Sequence, residues 1–105
     1  MVRTKNAINQ AIKKTLNYLS QKITISEAIL FGSYAQGNPH EYSDIDLAIF
    51  SPAKIKLEDK VQLAYEVYQN CDPDVEVHFF SEKMLREARP TNFCGYILAT
   101  GKRVG

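Results

Sequence analysis

Two apolar β-runs, Ala28-Ile29-Leu30-Phe31 and Ile45-Asp46-Leu47-Ala48-Ile49-Phe50, stand thirteen residues apart with no crossover helix between them. Strands joined in this way pair antiparallel, which brings the end of the first, Gly32, beside the start of the second, Asp44. A third run, Val75-Glu76-Val77-His78-Phe79-Phe80, follows a helix-length segment from Lys54 to Asn70. That segment is long enough for a crossover and makes the third strand parallel to the second. Glu76 is the second residue of its strand and Asp46 is near the start of the neighbouring one, so the two are expected to lie level at one sheet edge.

The flanking segments supply helices to cover such a sheet. Ile8, Ile12, Leu16 and Leu19 recur with the helical period over Lys5 to Ser20, and Lys5, Lys13 and Lys14 read as a solvated face. Ile23-Thr24-Ile25 reads as part of the β-rich run that Gly32 stops. Ser51-Pro52 closes the second strand, and Leu57, Val61, Ala64 and Tyr68 mark one apolar face of the crossover helix. Asp72-Pro73-Asp74 is turn chemistry. Ser81 is placed to cap a short helix with Glu82 in its first turn, where a carboxylate suits the helix dipole. After Pro90, Asn92 is placed to cap a last helix through Thr100, ended by Gly101. The order α-β-β-α-β-α-α predicts an α/β (α+β) fold, a small mixed β-sheet covered by helices.

Composition narrows the function classes. The chain has 105 residues, 45% hydrophobic and 24% charged, with a net charge of +1. That is the size of one domain spanning 1–105, with enough core to fold. Ordinary hydrophobicity with almost no net charge is the opposite of a disordered composition. Near-neutrality also argues against a chain that coats nucleic acid. No apolar run approaches the ~20 residues of a membrane span, and the basic N-terminus precedes no signal-peptide core. Cys71 and Cys94 form neither a disulfide framework nor a CxxC pair and read as core thiols, so the expected location is the reducing cytoplasm.

The chemistry concentrates between residues 32 and 46. A strand ends in Gly32-Ser33, ten residues intervene, and a second strand opens with Asp44-Ile45-Asp46. Residues i and i+2 of a strand share a face, so Asp44 and Asp46 are expected to project together. Adjacent carboxylates repel unless a cation sits between them, and hard oxygen ligands of this kind suit Mg²⁺ or Mn²⁺ shared with substrate phosphates. Gly32 lets backbone approach a phosphate, and the amides of Ser33 and Tyr34 open a helical turn that favours anions. A phosphate cradle and a metal-binding pair on neighbouring strand ends are what a nucleoside triphosphate requires.

Gly32-Ser33-x10-Asp44-x-Asp46, followed about thirty residues later by an acidic residue in a β-run, resembles the signature of the DNA polymerase β-like nucleotidyltransferase superfamily. With each fixed residue at ~5–7% usage, a chance match is on the order of one in a thousand. The likeness is greatest to the minimal, antitoxin-type members that pair with HEPN proteins. It implies a metal-dependent transfer in which an acceptor oxygen attacks the α-phosphate of a nucleoside triphosphate and pyrophosphate leaves. Carried over by position, Gly32 and Ser33 hold the triphosphate, Asp44 and Asp46 ligate the Mg²⁺ or Mn²⁺ ions, and Glu76 holds the second ion and helps deprotonate the acceptor. Family members that extend nucleic acid carry further domains, so the resemblance implies a protein hydroxyl as acceptor, on a HEPN-type toxin, with AMP from ATP as the group. Two positions depart from the pattern: Glu76 stands where Asp is usual, and Gln36 where many members have Arg. Both departures favour an alternative, a binding module that masks its partner stoichiometrically with a vestigial nucleotide site.

Plainer roles compete at other positions. Asp74 beside Pro73 reads as a turn residue before a metal ligand. His78 shares the face of Glu76, yet a satisfied, partly exposed histidine is the commoner outcome there. His40 reads as a solvated loop residue. Tyr34 and Tyr42 flank the loop, where stacking on a base competes with ordinary loop placement.

Overall fold

The structure, a computed structural model, describes residues 3–39 and 44–105; His40 and Tyr42 lie outside the described residues. Helix α1 (Lys5–Ser20) is started by Thr4, whose side chain accepts a hydrogen bond from the Ala7 amide. It buries Ile8, Ala11, Ile12, Thr15 and Leu19, and Lys5, Lys13 and Lys14 stay exposed. Strand β1 (Glu27–Phe31), the short helix α2 (Ser33–Gln36), strand β2 (Ile45–Ser51), helix α3 (Leu57–Asn70) and strand β3 (Val75–Ser81) follow, then α4 (Glu82–Arg86), α5 (Phe93–Thr100) and strand β4 (Lys102–Arg103). The expected cap on α5 forms, since Asn92 Oδ1 accepts from the Gly95 amide. Ser81 occupies the cap position of α4 without capping it through its side chain.

The four strands run in the order β3-β2-β1-β4. β1 pairs antiparallel with β2, and β3 pairs parallel with β2, as the connection lengths require. The pairing divides the sheet's side chains into two sets. Ala28, Leu30, Ile45, Leu47, Ile49, Val75 and Phe79 share one buried cluster with Ile8, Ile12 and Leu19 of α1 and Leu63 and Val67 of α3. On the other face Ile29, Phe31, Ala48 and Phe50 pack with Cys94 and Ile97 of α5, flanked by Phe80, Leu85 and Ala88. That second layer covers only part of its face. Asp46, Glu76 and His78 occupy the part beyond it.

Two local expectations are corrected, and one strand appears that the sequence did not announce. Ile23-Thr24-Ile25 is not strand: the chain leaves α1 through a turn at Gln21 and Lys22 and joins the sheet only at Glu27, with the amides of Lys22 and Ile23 still bonded to the Leu19 carbonyl. Strand β4, which pairs with β1 through Ile29↔Arg103 and Leu30↔Lys102, is too short to show any alternation in sequence. The crossover helix packs through a different side from the one that Leu57, Val61, Ala64 and Tyr68 mark. Leu63 and Val67 are buried and Ala64 is half-buried, whereas Leu57, Val61 and Tyr68 are all more than half exposed. At 100° per residue the two stripes are centred about 110° apart, and the crossover turns the Leu63–Val67 side toward the sheet.

A charged clamp fixes the edge where the site lies. Arg3 donates from both guanidinium nitrogens to Asp72, each at 2.7 Å, and from one of them to Asp74 at 2.8 Å. Its backbone amide donates to the Tyr34 hydroxyl at 3.3 Å, so one residue ties α2 to the turn that leads into β3. Asp74 is therefore a turn residue with a structural partner. Tyr34 packs against the core, which argues against its stacking on a base. Burial alone raises the Asp72 carboxyl, but the hydrogen bonds from Arg3 and the Asp74 amide outweigh it and hold the group below its ordinary value. A carboxylate depressed in the folded state contributes stability above its unfolded pKa and loses it as pH falls through the folded one. Arg3→Ala is expected to cost about 1–3 kcal/mol at pH 7. In urea unfolding that difference should shrink below the ordinary aspartate pKa of about 3.9; a difference unchanged down to pH 3 would refute the clamp.

Candidate active site

The approach to the site is made by Gly32. It sits at φ +78° and ψ −155°, between β1 and α2, a conformation open essentially to glycine alone. A Cβ built there would lie 2.5 Å from Asp46 Oδ2, so the missing side chain leaves room for the carboxylate. Phe31, the residue before it, stands directly opposite Asp46 in the β1–β2 ladder. Ser33 opens α2 immediately after and is partly exposed. Gln36, at the end of that helix, donates from Nε2 to the Tyr96 hydroxyl at 2.9 Å and so joins α2 to α5. The position where many family members carry a cation is here engaged with a neighbouring tyrosine.

Asp46 and Glu76 are direct partners in the parallel β2–β3 register, which puts the two carboxylates level on one face. His78, two residues along β3, turns its Nε2 toward both: 3.4 Å from Asp46 Oδ1 and 3.7 Å from Glu76 Oε1. One ligand atom from each of Asp46, Glu76 and His78 lies within 4.8 Å of the others. Asp46 and His78 are partly buried, and Glu76 is 55% exposed by side chain, so the group opens to solvent at the β3 edge. Two carboxylate oxygens and an imidazole nitrogen at such separations form a donor set suited to a divalent cation.

The expected residues are thus brought together in part. Asp46 and Glu76 converge, and Gly32 is against Asp46. Asp44 is exposed at the residue before β2 begins, and it is not among the three whose donor atoms converge. His78 is the member that residue type alone underweighted. Its period-2 spacing from Glu76 was the available signal; Ala48 is its register partner on β2. Cys71 and Cys94 lie away from this group, in the two buried clusters, and burial pushes both thiols up.

Comparison with known proteins identifies the family and the fold. Residues 13–104 match the family described as Polymerase beta, Nucleotidyltransferase. Among solved structures, a mutant of the toxin–antitoxin MntA–HpeT is 28% identical with a TM-score of 0.67, over 90% of this chain and 71% of that one. A toxin–antitoxin with AMP-PNP is 28% identical with a TM-score of 0.66, over 87% of this chain and 69% of that one. The complex of tri-AMPylated Shewanella oneidensis HEPN toxin with MNT antitoxin is 23% identical with a TM-score of 0.63, over 91% of this chain and 70% of that one, a likeness of fold. No curated protein sequence matches.

Proposed function

Because the chain belongs to the polymerase β nucleotidyltransferase family, we propose that it is a metal-dependent nucleotidyltransferase that moves AMP from ATP to a hydroxyl of a HEPN-type toxin and thereby acts as its antitoxin. The observation that carries this reading is the register of Asp46 with Glu76, with Gly32 leaving the approach to Asp46 open. The toxin partner and the adenine nucleotide are supported by the relatives at 28% identity, one a toxin–antitoxin pair and the other a toxin–antitoxin with AMP-PNP. In this reading residues 1–105 act as a single nucleotidyltransferase domain in the cytoplasm. No helix among the described residues is long and apolar enough to cross a membrane.

The roles follow from position. Gly32 and Ser33 bind the triphosphate at the start of α2, where the backbone can approach phosphate oxygens without a side chain in the way. Asp44, Asp46 and Glu76 hold the divalent cations, Mg²⁺ or Mn²⁺. Glu76, the more exposed of the two converged carboxylates, is on the side open to an incoming acceptor and takes up its proton. When bound, the cation supplies charge to the phosphoryl oxygens on which negative charge develops. Orientation does the rest: the acceptor oxygen must come within about 3–3.5 Å of the α-phosphorus, opposite the departing pyrophosphate.

The test is intact mass spectrometry of a HEPN-type toxin after incubation with this protein, ATP and Mg²⁺ or Mn²⁺. The expected result is a toxin heavier by one or a few adenylyl groups, with no adduct formed by Glu76→Gln although the complex persists. A toxin that is neutralised without any mass change, and equally by the Asp44→Asn/Asp46→Asn double variant, would replace the enzyme with a stoichiometric binding module.

A further inference from the structure

His78 points at both carboxylates of the candidate site from a position no family expectation assigns. We propose that His78 Nε2 is a direct ligand of the divalent cation, so that this site presents one nitrogen and two carboxylate groups and favours first-row transition cations such as Mn²⁺ over Mg²⁺. The inference rests on the reading of Asp46 and Glu76 as metal-holding residues.

Distance is the first support. Adjacent ligands of an octahedral cation at about 2.1 Å are separated by about 3 Å. Nε2 stands 3.4 Å from Asp46 Oδ1 and 3.7 Å from Glu76 Oε1, so modest side-chain adjustment closes the set around one ion. The second support is how the ring is held. The Phe31 ring lies against it with centroids 5.1 Å apart and planes inclined at 59°, and Ala48 is its neighbour across the parallel ladder. A ring backed in this way loses little freedom on binding a cation. The third is chemical. Imidazole nitrogen binds first-row transition ions well, whereas Mg²⁺ prefers an all-oxygen, partly hydrated shell. A ligating Nε2 must carry a free lone pair, so the ring proton then resides on Nδ1.

The consequence is a cation preference set by one residue. Glu76, a methylene longer than the usual aspartate, reaches further from β3, and His78 on the same strand supplies a short, stiff donor beside it. The pair on β3 shares the task that one carboxylate is expected to perform.

Mn²⁺ binding read by pulsed electron paramagnetic resonance tests this without reference to turnover. The parent protein with Mn²⁺, with and without a non-hydrolysable ATP analogue, is expected to show ¹⁴N coupling from a directly bound imidazole, and uniform ¹⁵N-histidine labelling should change it to the ¹⁵N pattern. His78→Gln should abolish the coupling and weaken Mn²⁺ binding about 10–100-fold, while Mg²⁺ affinity changes by less than about threefold. Bound Mn²⁺ with no nitrogen coupling in the parent would overturn the proposal and leave the carboxylate site standing, as would coupling that survives in His78→Gln. No Mn²⁺ binding in any state would instead overturn the metal-site reading itself. The decisive comparison is made on the parent protein, so it holds even if the variant folds poorly.

Discussion

Gly32→Ala is expected to eliminate nucleotidyl transfer and to destabilise the fold together. Two independent costs meet at this residue. Its backbone, at φ +78° and ψ −155°, lies in a region that a residue with a Cβ enters at about 1–3 kcal/mol. The added methyl would also sit 2.5 Å from Asp46 Oδ2, inside any permissible contact, so either the β1–α2 connection or the carboxylate must shift. A shift of Asp46 separates it from Glu76 and His78, and displacement on the order of 1 Å is enough to cost about a hundredfold in rate. Urea unfolding should register the first cost and toxin adduct formation the second. Parent-like values in both would mean that the glycine is incidental to the site.

Asp46→Asn should separate chemistry from folding more cleanly. Asp46 faces Glu76 across the parallel ladder, has His78 Nε2 3.4 Å away and is partly exposed, so it is not a structural keystone. Removing one of two facing carboxylates relieves repulsion while weakening a hydrogen bond, and the net change in stability is expected to stay within about 1 kcal/mol. Transfer, by contrast, should fall by at least about 10²–10³-fold, the usual loss when a group that organises transition-state charge is removed. A calorimetric control distinguishes this from misfolding. A ligand present at one hundred times its dissociation constant stabilises the parent by about 2.7 kcal/mol, and Asp46→Asn should forfeit most of that shift with Mn²⁺ and nucleotide. Asp44→Asn should act in the same direction with a smaller effect, since Asp44 lies exposed before β2. A variant at position 46 with full transfer would remove the carboxylate from the mechanism.

Connection lengths and strand alternation were sufficient to foresee the antiparallel β1–β2 pair, the parallel β2–β3 pair and the level placement of Asp46 and Glu76, because these follow from steric rules that hold for any sequence. What escaped was decided by tertiary contact. The orientation of α3 could not be read from its own residues, since Leu57, Val61, Ala64 and Tyr68 offer more apolar positions than Leu63 and Val67, yet the latter pair is the one that is buried. β4 consists of two residues whose pairing exists only because β1 offers a free edge. His78 stands beside Ala48 in the ladder and against the Phe31 ring, and both neighbours are carried on other strands.

The parallel register has a kinetic corollary. Asp46 and Glu76 are thirty residues apart in the chain and meet only when the entire α3 crossover has docked. No hairpin or other local fragment contains the constellation, so its assembly waits on the long-range step that topology makes slow. A slip of one residue between β2 and β3 would send Glu76 and His78 to the opposite face, among the side chains under α1 and α3. Val75 and Phe79 would then leave the cluster under α1 and α3 for a face that is only partly covered, a penalty of several kcal/mol that acts as proofreading on the pairing. Chains released from denaturant should therefore recover helical signal before they recover the capacity to bind Mn²⁺, and the interval between the two measures the time the crossover takes to close.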